Sequence, residues 1–200
     1  MQKINFNFDY RKATQVLNHF ALNEGGKINK LKALKLVYLA DRYHLRKYGR
    51  LITNDIYFAM GYGPVASSVK DIAEESKFLG EVERDYARRY LVAKEPLELK
   101  SVSPPDDDVF SDSDIEALGF AWEKFGCLEE FELAELTHHY PEWAKHKQAL
   151  ELNSRIQMDL SDFFDDPIAG VEKCFELTDE DRSMQREHLE EMFRLESLWS

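Results

Sequence analysis

Cysteine is nearly missing from this chain: its two residues, Cys127 and Cys174, lie far apart and in no Cys-x-x-Cys arrangement. That excludes a disulfide-stapled scaffold and a cysteine-ligated zinc site. Long apolar runs are missing too, and no stretch approaches the roughly 18 apolar residues of a membrane-spanning helix. The first seven residues lack the basic-then-apolar order of a secretory leader, so a cytoplasmic protein with no membrane partner is expected. Positive charge is scarce. Lys and Arg number 26 against 38 Asp and Glu, a net charge of -12, which disfavours nucleic acid and anionic membranes as partners. The deficit is uneven: residues 1 to 100 carry 18 basic and 12 acidic side chains, residues 101 to 200 carry 8 and 26. Halves of +6 and -18 suit charged surfaces that face each other or a charged partner.

What is present suffices for a core: 44% of 200 residues are apolar, enough for one domain spanning residues 1 to 200. Ala13, Val16, Leu17, Phe20 and Ala21 recur at spacings of three and four, which predicts a helix over 8 to 24 stopped by Gly25 and Gly26. A second helix over 29 to 48 has the stripe Leu31, Leu34, Val37, Tyr38, Ala40 and Leu45 and closes at Gly49. Its other faces carry Lys30, Lys32, Lys35, Arg42, Arg46 and Lys47. Residues 51 to 60, rich in Ile, Thr, Tyr and Phe, read as a short strand ended by Gly61 and Gly63. Pro64 suits the first turn of a helix reaching about residue 78. Residues 86 to 103 read as a small hairpin turning at 94 to 96, and Pro104 and Pro105 with three aspartates mark an internal boundary. Helices follow at 111 to 126, opened by a Ser111 and Asp114 cap, at 128 to 138, at 141 to 150 behind Pro141, and from Thr178 onward. That last face comprises Met184, His188, Leu189, Met192, Leu195 and Trp199. The sum is a mainly α fold, a compact helical domain with a small β element, a short strand plus a hairpin, inserted in its middle.

Motifs for chemistry are weak. Ser67, Ser68, Val69 and Lys70 match a Ser-x-x-Lys pattern, but the companion Lys-Thr-Gly and Ser-Asp-Asn are absent, so these serines read as first-turn residues. His138, His139 and His146 straddle Pro141 without a His-Glu-x-x-His spacing, and no metal site is expected. Asp112, Asp114 and Glu116 lead into Ala117 where a calcium loop needs glycine. Gly25, Gly26 and Lys27 precede Ile28 where a phosphate loop needs Ser or Thr. No cofactor is indicated, and no catalytic residue. Arg42, His44, Tyr48, Arg50 and Tyr62 would lie near one another if helix and strand pack as read, and their polar tips on aromatic bodies suit a protein interface.

Leu36-Val37-Tyr38-Leu39-Ala40-Asp41-Arg42-Tyr43-His44-Leu45-Arg46-Lys47-Tyr48-Gly49-Arg50, then Ile52-Thr53-Asn54-Asp55, Tyr57-Phe58-Ala59-Met60 and Tyr62-Gly63-Pro64-Val65, resemble the Panacea domain, a family found in phage-associated proteins. Glu135-Leu136-Thr137-His138 and Trp143 are similar to its later block. Ala66 stands where the family has proline, and Val69-Lys70-Asp71 where it has Tyr-Asp. The resemblance covers a core over 28 to 150, with the C-terminal helix, 178 to 200, outside it. It implies an antitoxin that neutralises a cognate toxin by direct binding, with no enzymatic activity, and a structural motif of Gly49, Gly63, Pro64, Thr137, His138 and Trp143. The alternatives are an adaptor delivering the toxin to a protease, and an enzyme of unrecognised type. The last helix could pack on the domain or join two copies in a homodimer.

Overall fold

Asp9 starts the first helix. Its carboxylate accepts from the backbone N–H groups of Arg11 and Lys12 at 3.1 and 3.0 Å, two of the donors that a helix start leaves unpaired. Helix α1 then runs Tyr10–Asn23. The computed structural model describes residues 8–93 and 95–199; the leader reading on the first seven residues, position 94 of the expected turn and the side chain of Trp199 lie outside the described residues. After β1 (Lys27–Asn29), the Asn29 side chain caps α2 (Lys30–Tyr48), which ends on Gly49 in the left-handed conformation, φ 75°.

Helix α2 is the axle of the molecule: every residue from position 32 to position 46 is buried. The expectation of a basic outer face is corrected here. Helices α1, α5 and α6, strand β3 and the turn after β6 all pack on α2, so Lys32, Lys35, Arg42 and Arg46 point into protein, while Lys30 and Lys47 at its ends stay partly exposed. A buried charge is costly unless paired.

Strand β2 is Tyr57–Met60, shorter than the expected 51 to 60. The carboxylate of buried Asp41 accepts from the N–H groups of Ile52 and Thr53 at 2.7 and 3.3 Å, so that stretch bonds to α2 rather than to a strand. Pro64 also departs from expectation, since it lies in strand β3 (Gly63–Ala66) and not in a helix. Met60 faces Gly63 across a two-residue turn of Gly61 and Tyr62. β3 is the edge of the sheet β3-β2-β6, where a missing N–H costs no ladder bond. Helix α3 follows at Ser67–Ala73, its start capped from a distance by Asp55, which accepts from Ser68 and Val69 N–H at 2.6 and 2.8 Å. The helix α4 (Glu81–Tyr90) was not anticipated. The expected hairpin is present as β4 (Leu91–Val92) and β5 (Glu98–Ser101), joined by β1 into an antiparallel sheet of order β1-β5-β4.

Ser111 and Asp114 form the expected reciprocal cap of α5 (Asp112–Phe125). Then come α6 (Glu130–Thr137), α7 (Pro141–Ala144), which is shorter than expected, and β6 (Arg155–Gln157). A 3-10 turn (Leu160–Phe164) puts Phe163 and Phe164 into the core, and α8 (Asp179–Trp199) closes the chain. The fold is mainly α, with two three-stranded antiparallel sheets. Leu189 of α8 is buried against the domain, whereas Leu195 and Leu198 are exposed.

Candidate partner-binding surface

Two of the five residues expected to face a partner face inward instead. Arg42 is fully buried. Its Nε donates to Glu142 at 2.7 Å, and its other nitrogens donate to the carbonyls of Lys173 and Asp165 at 2.5 and 2.6 Å. Tyr38 donates to the same Glu142 oxygen at 2.6 Å, and the Arg42 guanidinium lies over the Tyr140 ring. Burial opposes the Arg42 charge, but Glu142 overrides it and holds the guanidinium protonated. One turn on, Arg46 donates to the carbonyls of Phe175, Phe163 and Asp165 and to the Asp166 carboxylate at 2.7 Å. His44 is also fully buried; its Nδ1 meets the Arg50 carbonyl at 2.8 Å and its Nε2 meets Ser113 Oγ at 3.0 Å. Burial lowers its pKa and keeps the ring neutral near pH 7.

These contacts show where the charge asymmetry goes. Asp114, fully buried, collects Lys12, Arg50 and His44, at 2.5, 2.9 and 3.3 Å. Glu142 takes Arg42, Asp166 takes Arg46, and Glu116 takes Lys47. In each pair the basic group comes from the first half and the acid from the second. The two halves therefore face each other through these pairs, one of the two outcomes that the charge split allowed, and the excess acid leaves the chain at -12. Tyr48 and Arg50 sit at the rim of this network: Tyr48 is 39% exposed and donates to Glu116 at 2.7 Å.

Tyr62 is different. It caps the turn of the β2–β3 hairpin, is 63% exposed, and lies edge-on to Phe131 of α6, itself 63% exposed. Phe131 escaped the sequence reading because a single aromatic between Glu130 and Glu132 carries no period. The motif residues Gly63, Pro64, Thr137, His138 and Trp143 pack beneath this turn. Gly63 has φ 99°, and a Cβ there would collide with Thr137 Oγ1 and come within 3.1 Å of Lys35 Nζ. Lys35 Nζ donates to the Pro64 carbonyl at 2.7 Å. Trp143 Nε1 donates to the Met60 carbonyl at 2.9 Å, and the His138 ring stacks on Trp143 at 3.8 Å. Gly49 packs against Gln185 and His188 of α8. A rigid frame thus presents an aromatic pair to solvent.

Lys70 is paired with Glu74 on the exposed side of α3 rather than with Ser67. Among the described residues no group of three or more His, Cys, Asp or Glu is arranged to hold a metal, and no helix is long and apolar enough to cross a membrane. The family described as "Antitoxin SocA-like, Panacea domain" matches residues 34–144. No curated protein and no solved structure matches the chain. The matched span runs from α2 to α7, and it contains Asp41, Arg42, Gly63, Asp114, Thr137, Glu142 and Trp143, the residues that tie the axle helix to the hairpin and to α5 and α7. With more than half of the chain inside that match and the central network within it, the protein belongs to the SocA-like antitoxin family of the Panacea domain.

Proposed function

We propose that this protein is an antitoxin that neutralises a cognate toxin in the cytosol by binding it directly, without catalysis. Family membership over residues 34–144 carries the reading. The exposed Tyr62 and Phe131 pair supports it, because tyrosine and other aromatics on a rigid element make effective interface anchors. Tyr48 and Arg50 bind α5 through Glu116, Ser111 and Asp114, while Arg42 and His44 act from inside by fixing α2. The experiment is co-expression with the product of the adjacent gene, scored for growth and then for co-purification at low and high salt. Growth is expected to be restored and the toxin to co-purify. Failure to restore growth with any neighbouring product overturns the antitoxin reading, and rescue with no isolable complex overturns direct binding.

A further inference from the structure

The sheet that carries Tyr62 at its β2–β3 turn has a second exposed feature, the outer face of β3-β2-β6. Cross-strand partners point to the same side, so Phe58 shares a face with Val65 and Gln157, and Met60 with Arg155. Phe58, Met60, Val65, Lys70 and Phe78 line a groove of about 180 Å³, with Arg155 and Asp71 at its walls. Phe78 is almost fully exposed. β6 is the far edge of the sheet. The Met158 N–H donates to the Tyr57 carbonyl at 2.9 Å. Because the ladder alternates, the N–H groups of Arg155 and Gln157 point away from β2, onto an open side that no strand covers among the described residues. The Arg155 guanidinium rests 4.9 Å from the Phe58 ring centre and forms no ion pair among the described residues, whereas neighbouring Lys70 is occupied by Glu74.

We propose that this edge takes an extended segment of the partner protein as a fourth strand, with a carboxylate on Arg155 and an apolar side chain beside it at the mouth of the groove. The inference rests on the antitoxin reading and names the chemistry of the partner. Strand addition divides the work: main-chain bonds to the open edge set the register, and alternate side chains enter the groove and select the sequence. The charge argues for an acid. On a chain of net charge -12, Arg155 is a cation over an aromatic face with no ion-pair partner among the described residues, where a carboxylate completes a charge-assisted contact. The net charge also disfavours an extended polyanion such as nucleic acid at this site.

The test uses the full chain and the product of the adjacent gene, with affinity measured for Arg155→Glu and Gln157→Pro and a thermal melt of each as folding control. Both are expected to melt like wild type. Arg155→Glu should bind at least about tenfold more weakly, a loss of about 1.4 kcal/mol. Binding should return when one acidic residue of the toxin segment is replaced by lysine. Gln157→Pro, which removes the outward N–H without taking a bond from the β2–β6 ladder, should lose binding similarly. If wild type binds and both variants bind within about twofold of it, this inference is overturned and the antitoxin reading stands. A wild type that neither rescues nor binds overturns the reading and this inference with it. Loss of a homodimer in Gln157→Pro with toxin affinity unchanged assigns the edge to a second copy and also overturns the proposal.

Discussion

Among the described residues Lys35 has one hydrogen-bond partner, the Pro64 carbonyl, where an ammonium offers three donors, and it is fully buried with no carboxylate paired to it. Burial alone pushes its pKa down to about 7. In the unfolded chain the amine titrates near 10.4. Between these values the unfolded state binds a proton that the folded state has released, so stability rises with pH across that window. The cost of the buried charge is fully present below pH 7 and fades above it. The His138 ring, lowered by burial, titrates below the ordinary histidine range and leaves this window clear. Burial raises the Cys174 thiol to about 11, so its opposite effect begins only near pH 9. Chemical denaturation at pH 7 and pH 9 should show wild type gaining stability with pH, and Lys35→Met, of similar length without charge, should lack that gain. Equal slopes in the two proteins would sink the assignment. The same residue shows why site residues were misplaced from sequence. A lysine or arginine off the apolar stripe reads as solvated, and what buries Arg42, its partner Glu142, lies a hundred positions away.

The β2–β3 hairpin depends on Gly63. Its φ of 99° is a conformation that L side chains rarely adopt, and the space for a Cβ is filled by Thr137 and by buried Lys35, which has no room to retreat. Gly63→Ala should therefore cost about 2 kcal/mol or more, from backbone strain and the forced shift together. Gly61, in the same turn, has open space where a Cβ would sit, with no atom within 4 Å, and Gly61→Ala should stay within about 0.5 kcal/mol. Denaturant midpoints for the two variants check the contrast, and similar losses would show that crowding beneath Gly63 is not the cause. At this scale the sequence was informative where the signal was local. The cap at Ser111, the stop at Gly49 and the stripe of α1 are all set by neighbours within one turn. Helix α4 was missed because only Ala87 along it is buried, so no apolar period marks it. Strand β6 and the 3-10 turn after it were missed because such short elements take their stability from pairing with β2 and from the core, not from their own pattern.

The molecule as a whole extends beyond the family-matched stretch. Residues 34–144 include most of α2 but neither α1, which packs along it, nor β6 and the 3-10 turn, whose Phe163 and Phe164 are fully buried. Arg42 takes two of its three acceptors, and Arg46 all of its own, from residues 163 to 175. Arg182 and Arg186 of α8 then bind Asp166 and Asp165, which fastens the closing helix to the same turn. Cutting the chain after residue 150 would strip Arg46 of every acceptor and leave Arg42 with Glu142 alone. Breaking a buried charge arrangement costs about 3–5 kcal/mol, and losing each buried phenylalanine roughly 1.5–3 kcal/mol more. Against a total stability of about 5–15 kcal/mol, those losses decide the outcome. A chain of residues 1 to 150 should show no cooperative melt by circular dichroism, whereas one ending at residue 194 should melt nearly as wild type, because Leu195 and Leu198 are exposed. A cooperative transition in the 150-residue chain would mean that Arg42 and Arg46 find solvent or new partners cheaply, and that the C-terminal strap is an accessory rather than part of the core.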